Sequence, residues 1–359
     1  MTVYIILFIT IIIFGLGSYL EIKDKDDSII IDSKAVFFII SIIATTAVEG
    51  LRDISVGIDL QAYVHYFDIF KEMDLSAVVL NDFSGIEPGF KVLCKMIGMI
   101  SPSTQAFIIV TSITIIGLNF GFLGKNSKDI FISVLLFFAF DHFFTSMVSL
   151  RQYIAIGIVA WVMPLLNDKR YYSAGIVSLV AFCFHQSAIL FAIACVFAYV
   201  NSDNRYVLLI IPILTLLLLR YTDTIYAFVI QFFPKYGSNY FLTEQGRIGS
   251  LRIVYILLEL CIAMLVFFDK KYNNRALVMY GILIEIGIYC GLQASIPWAF
   301  RLGYYFDYVL LLMIPYMIDI SSNKVLLRLL FIAIGIVFFS YYLTVNPGNT
   351  IPYLFYNRY

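Results

Sequence analysis

The chain has 359 residues, of which 61% are hydrophobic and only 13% charged, and its mean hydropathy is +0.91. Soluble domains carry about 25% charged and about 45–50% apolar residues, so this composition cannot build a water-exposed surface of ordinary polarity. Lys plus Arg and Asp plus Glu both number 24, and a net charge of zero gives a nucleic-acid partner no electrostatic support.

The first apolar run, 3–20, has no Lys or Arg ahead of it and no small-residue cleavage site, so it reads as a span rather than a removable signal. A helix needs about 20 residues to cross a hydrocarbon core of about 30 Å. On that yardstick further spans are expected at 35–50, 104–122, 129–148, 150–166, 172–184, 187–200, 205–219, 251–269, 276–296, 302–320 and 324–342, twelve in all. The expected fold class is an all-α polytopic membrane protein, a single integral membrane domain over 1–359.

Segment 171–200 admits one long tilted helix or two short crossings, and charge placement decides between them. With two crossings and an outside amino terminus, Lys23, Lys25, Lys34, Lys125, Lys128, Lys169, Arg170, Arg205, Lys270, Lys271, Arg275, Lys324 and Arg328 all fall in inside loops. That is the pattern the positive-inside rule demands. One crossing would export the cluster at 270–275. Two crossings are therefore expected, meeting near His185 on the outer face. The two long segments 51–103 and 220–250 then lie outside. Both mix apolar patches with Pro, Gly and Asn, which suits short amphipathic helices along the membrane–water interface.

The five cysteines, at 94, 183, 195, 261 and 290, show no CxxC spacing and indicate neither a disulfide framework nor a metal site. The acidic run Asp24-Lys25-Asp26-Asp27 lies on the inside face and reads as a solvated loop.

Lysines divide nine inside to four outside, whereas Arg52, Arg151, Arg220, Arg247, Arg252, Arg301 and Arg358 all fall outside. Arginine offers a planar fork of donors suited to phosphate and carboxylate. Such a cluster at the outer boundary points to a lipid-linked phosphate or pyrophosphate. Arg220 and Arg358, beside aromatic residues at span ends, read as snorkelling anchors. Arg52, Arg151 and Arg301 lie where charge is costly, and a functional role is expected for them. His185 interrupts an apolar run next to Gln186 and Ser187 and is either a packing residue or a member of the site. Gly57 lets the chain turn into a helix that would put Asp59 and Tyr63 on one face at i, i+4. Asp59 also fits a helix N-cap, and Glu87 a first-turn acid. Tyrosines near 236–240 and 304–308 either anchor in the interface or stack on sugar rings.

In order, these residues resemble the EpsG/Wzy family of bacterial polysaccharide polymerases. The pieces are Arg52 with Val56-Gly57-Ile58-Asp59 and Tyr63; Glu87-Pro88-Gly89-Phe90; Leu150-Arg151-Gln152-Tyr153-Ile154-Ala155; 181–188 around His185; Arg301-Leu302-Gly303-Tyr304-Tyr305-Phe306; and Ile351-Pro352-Tyr353. One departure is Ile58, where a small polar residue is expected beside the aspartate.

The resemblance implies a GT-C-like glycosyltransferase of the bacterial inner membrane, with 51–103 and 220–250 as periplasmic loops. Its activity would be transfer of a growing glycan from undecaprenyl pyrophosphate onto the non-reducing end of a second lipid-linked repeat unit. Donor and acceptor repeat units, and a chain-length regulator in the membrane, would be its partners; no cofactor and no metal are implied. Arg52, Arg151 and Arg301 would hold the pyrophosphate, Asp59 or Glu87 would act as base with His185 behind them, and Tyr63, Gln152, Tyr305 and Arg247 would assist with the sugars. The alternatives are an O-antigen ligase, which shares the donor, and a flippase. A flippase should line its midplane with charge and show repeat symmetry, and neither is visible.

Overall fold

A computed structural model describes residues 1–20, 22–23, 29–80, 85–200, 275–287 and 300–356, with scattered positions between 217 and 265. The described chain is almost wholly helical, apart from a small antiparallel ribbon of β1 (Ile22–Lys23) and β2 (Ile29–Ile31). It divides into two compact units. One comprises Met1–Trp161, Gly175–Ile189 and Ile314–Tyr359; the other comprises Val162–Ala174 and Leu190–Met313.

In the first unit, α1 (Thr2–Gly17), α2 (Ser33–Gly50), α6 (Thr104–Asn126) and α15 (Lys324–Val345) surround α7 (Ile130–Ala139). Every residue of α7 from Phe131 to Ala139 is buried. The surrounding helices are apolar on their outer faces too, with Ile6, Ile13, Ile39, Ile43, Ile113 and Val337 exposed. Helices apolar all round need lipid rather than water outside, so the chain is a polytopic membrane protein. Among the described residues, four helices are long and apolar enough to cross a membrane: Ser33–Gly50, Thr104–Asn126, Leu150–Asn167 and Lys324–Val345. Thr2–Gly17, Tyr171–Phe184 and Ala188–Val200 are shorter apolar helices.

Contacts within this unit sort its helix ends into two sets. At one end the Tyr19 hydroxyl donates to Asp129 at 2.8 Å, and Arg328 Nε donates to the same carboxylate at 2.9 Å. The Arg328 guanidinium also lies 4.2 Å from the Tyr19 ring centre. Asp32, Asp129 and Asn323 cap α2, α7 and α15 at this end, each accepting a backbone N–H of the first turn. Lys34 and Lys324 begin helices here and Lys125 ends one, so basic residues collect at this end.

At the other end the Tyr4 hydroxyl donates to Thr350 O at 2.8 Å, and the Tyr353 hydroxyl donates to Val48 O at 2.9 Å. Three helices, α3 (Leu60–Glu72), α4 (Leu75–Leu80) and α5 (Pro88–Ile100), fill most of the segment between α2 and α6. Buried aromatic faces hold them: Phe67 stacks on Phe107 at 4.8 Å, and Tyr63 meets Phe90 edge-on at 5.4 Å.

Within the expected span 129–148 the helix is broken rather than continuous. Helix α7 stops at Ala139, and α8 (His142–Val148) sets off at 60° to it. No Gly or Pro causes the break. Asp141 takes φ +66°, a left-handed conformation that Asp adopts more readily than most residues. The Thr145 hydroxyl donates to its carboxylate at 3.0 Å. By contrast, 171–200 divides as expected, into α11 (Tyr171–Phe184) and α12 (Ala188–Val200), with His185 to Ser187 as the turn between them.

The second unit contains α10 (Val162–Asn167), α12, α13 (Arg275–Gly287) and α14 (Phe300–Ile320) up to Met313. Phe191 packs against Tyr305 and Phe306 at 6.2 and 5.6 Å, and Phe197 packs against Tyr280 at 5.7 Å. Nearly all of the expected span 205–219 and of loop 220–250, and parts of 251–269 and 276–296, lie outside the described residues.

Candidate functional site

The chain leaving α2 turns at once into a buried polar node. Arg52 is fully buried. Its guanidinium donates to the carbonyls of Glu49 and Met147, the latter at 3.0 Å, and Glu49 Oε1 lies 3.8 Å from it. Ser146 donates to the other Glu49 oxygen at 3.4 Å. Burial pulls the Arg52 pKa down from its ordinary value, with Glu49 opposing that shift. Met147 lies in the last turn of α8, where carbonyls lack helical partners, so Arg52 caps that helix end.

The carboxy-terminal segment fastens the same loop from outside. Asp53 N donates to Leu354 O at 2.8 Å, and Tyr356 N to Leu51 O at 2.9 Å. Gly57 N and Ile58 N donate to Asn349 O and Gly348 O at 3.1 and 2.8 Å. Gly57 sits at φ +104°, and a Cβ there would stand 3.2 Å from the Met147 carbonyl oxygen. The turn into α3 therefore needs glycine on both counts. Asp59 is the N-cap of α3, half-buried, without a side-chain bond to the first turn. Tyr63, one turn on, is buried.

Glu87 and Arg151 form the centre. Glu87 is the N-cap of α5, with Pro88 at the first helical position, yet its carboxylate makes no capping bond. It pairs instead with the Arg151 guanidinium and accepts the Gln186 backbone N–H at 3.3 Å. Arg151 is in the first turn of α9 (Leu150–Val159), and its guanidinium lies 5.8 Å from the Tyr63 ring centre. Its side chain keeps 20% exposure against 7% for Glu87. The His185 ring shares a 2.6 Å hydrogen bond with Ser187 Oγ in the turn that supplies the Gln186 N–H. Close approach of α5 to the end of α11 makes this possible: a Cβ on Gly89 would lie 2.7 Å from Cys183 O.

Among the expected site residues, Tyr63, Glu87, Arg151 and the turn carrying His185 thus come together. Gln152 is buried beside them in sequence. Arg52 belongs to the neighbouring node and has no solvent-exposed surface. In the second unit, Arg301 is half-buried on the first turn of α14 and Tyr305 is buried against Phe191. Arg247, Arg252, Arg358, the acidic run 24–27 and Tyr236 to Tyr240 lie outside the described residues. Arg220 stands 5.7 Å from the ring centre of its neighbour Tyr221. Among the described residues no group of three or more His, Cys, Asp or Glu is placed to hold a metal ion.

Several buried polar residues escape a pass for spans and motifs. Glu49, Asn119 and His142 are fully buried, and Asp141 nearly so. His142 Nδ1 lies 2.9 Å from the Tyr153 hydroxyl, and Asn119 donates to Tyr153 O at 3.1 Å. In the second unit Glu285 and Asp307 are fully buried. The signal was present: Asp141-His142 sits inside an apolar run without turn residues, where ionisable groups are costly and seldom idle.

The EpsG family model matches residues 35–355. Neither a curated protein nor a solved structure matches the chain.

Proposed function

The chain belongs to the EpsG family, and on that premise we propose that it is a GT-C-like polysaccharide polymerase of the bacterial inner membrane, with about twelve spans and its site on the periplasmic face. Membership supports a polysaccharide-polymerase-like role in general. The finer reading is transfer of a growing glycan from undecaprenyl pyrophosphate to the non-reducing end of a second lipid-linked repeat unit, without metal. A chain-length regulator is the expected partner in the membrane.

The observation that carries this reading is the Glu87–Arg151 pair, set at the end of the bundle away from Lys34, Lys125 and Lys324. A pyrophosphate leaving group needs stabilisation of developing negative charge more than it needs a strong acid. An arginine in a partly dehydrated site supplies that stabilisation. In the reaction the acceptor hydroxyl oxygen bonds to the anomeric carbon, and the bond from that carbon to the pyrophosphate oxygen breaks. The electron pair stays on the pyrophosphate beside Arg151, and the hydroxyl proton passes to Glu87.

Glu87 is preferred to Asp59 as base because Glu87 is the carboxylate already against the arginine. His185 takes a hydrogen-bonding role toward the phosphates. Arg301 keeps the pyrophosphate role that its motif implies. Arg52, spent on two carbonyls and Glu49, holds the loop rather than the ligand.

Polymerisation of a defined undecaprenyl-pyrophosphate repeat unit by the purified protein tests the proposal. A ladder of products is expected. Transfer of a single preformed glycan to lipid A core would make the protein a ligase, and transport without bond formation would make it a flippase.

A further inference from the structure

The Glu87 carboxylate occupies an anion site built by other residues. One oxygen meets the Arg151 guanidinium and the other accepts the Gln186 N–H, so its two partners come from α9 and from the turn between α11 and α12. A guanidinium fork beside a backbone N–H is a donor set that suits phosphate oxygens. Glu87 is at an N-cap position, but its carboxylate makes no bond to its own helix and is held by these donors instead. The Arg151 side chain keeps 20% exposure whereas Glu87 is almost fully enclosed.

We propose that Glu87 is an internal stand-in for the anionic ligand. A phosphate group of the donor displaces it from Arg151 and from the Gln186 N–H, and the displaced carboxylate then takes the acceptor proton. This rests on the site being one for pyrophosphate-dependent glycosyl transfer. The exchange links two steps that must occur in order. While its two oxygens are engaged by Arg151 and by the Gln186 N–H, the carboxylate is not free to take a proton from an acceptor hydroxyl; displacement releases it. The base is thus switched on by the arrival of the leaving group. Without donor, the acceptor hydroxyl meets a carboxylate that is already engaged.

The test measures binding and turnover separately, with purified protein in phosphatidylcholine nanodiscs. The probes are a short-chain polyprenyl pyrophosphate and inorganic pyrophosphate. Glu87→Gln keeps the shape and removes the charge; it is expected to bind polyprenyl pyrophosphate about 10-fold more tightly than the parent, on the scale of one competing ion pair. Its turnover is expected to fall by roughly 100-fold or more, the usual scale for losing a general base. Glu87→Ala should show the same gain in binding, which guards against a local misfit of the glutamine. Arg151→Ala should weaken binding.

If both Glu87 variants bind no better than the parent while Arg151→Ala binds worse, the exchange is wrong and the site reading stands. Unchanged binding by Arg151→Ala would remove the site reading and the exchange together. Tighter binding with parental turnover would overturn Glu87 as the base. If phosphatidylglycerol in the disc erases the difference between variants and parent, the anion is a lipid headgroup and the proposal fails. A gain seen with inorganic but not polyprenyl pyrophosphate would equally overturn the lipid donor as the displacing group.

Discussion

The carboxylate of Glu87 is held by the guanidinium of Arg151, 64 positions further along the chain. Glu87 sits where the start of α5 meets the first turn of α9 and the end of α11. Gly89 leaves no Cβ between its backbone and Cys183 O, and the Gln186 N–H is brought within 3.3 Å of the carboxylate.

Arg151→Lys keeps the positive charge but loses the planar fork. If Arg151 steadies the leaving pyrophosphate, the rate constant for polymerisation should fall by about 10²–10³, the range seen when one transition-state donor is lost. Single-turnover assays on a lipid-linked repeat unit would show it, and a parental rate would remove Arg151 from the mechanism.

A methyl group at Gly89 has nowhere to go, because the atom in its path is backbone. Gly89→Ala should cost about 1–3 kcal/mol of stability and separate Glu87 from the 185–187 turn. Polymerisation should fall further than the shift in melting temperature accounts for. Melting in detergent, read beside activity at a temperature where the variant is folded, separates the two effects.

Arg52→Ala leaves Glu49 buried without its cation and the Met147 carbonyl without its donor. A loss of about 3–5 kcal/mol is expected. Removing both charges, as Glu49→Gln with Arg52→Met, should restore part of that stability, because an uncompensated buried charge costs more than none. Calorimetry of the single and double variants decides; a double variant less stable than Arg52→Ala would refute the node as described.

At the opposite end, Arg328→Ala breaks the contacts with Asp129 and Tyr19. Arg328 is partly exposed, so only about 1–2 kcal/mol should be lost. Turnover of the folded variant should equal that of the parent. A specific loss of rate would show that this end takes part in the reaction.

Polymerisation should continue at the same rate after dialysis against EDTA, because arginine rather than a cation is assigned to the pyrophosphate charge. Loss on chelation with recovery on adding Mg²⁺ would overturn that assignment.

Membrane character was legible from composition, since so few charges cannot coat a soluble surface. The break at His185 was legible from lysines and arginines, because their placement favoured two helices over one between 171 and 200, and α11 and α12 divide there. Span counting treated 129–148 as one crossing because apolar residues dominate the run on both sides of Asp141 and His142. The bend at Asp141 depends on a backbone conformation that a hydropathy count does not register. The arginines were the right residue type to notice, but sequence could not sort them. Arg52 and Arg151 look alike on paper; one is sealed into two carbonyls and the other faces a carboxylate at a partly open edge.

By itself the sequence determined a helical membrane protein, its family, and a short list of polar residues too costly to be idle. The first and last follow from composition, spacing and the free energy of charge in lipid, which are local and additive; the family rests on the resemblance of short motifs in their order along the chain. Which of those residues meet was decided only by the tertiary structure. Pairing Glu87 with Arg151 required α5, α9 and the turn after α11 to converge, and sealing Arg52 required the end of α8 and the carboxy-terminal segment. Such contacts join segments tens to hundreds of residues apart, and side-chain packing, rather than any periodicity along the chain, brings them together.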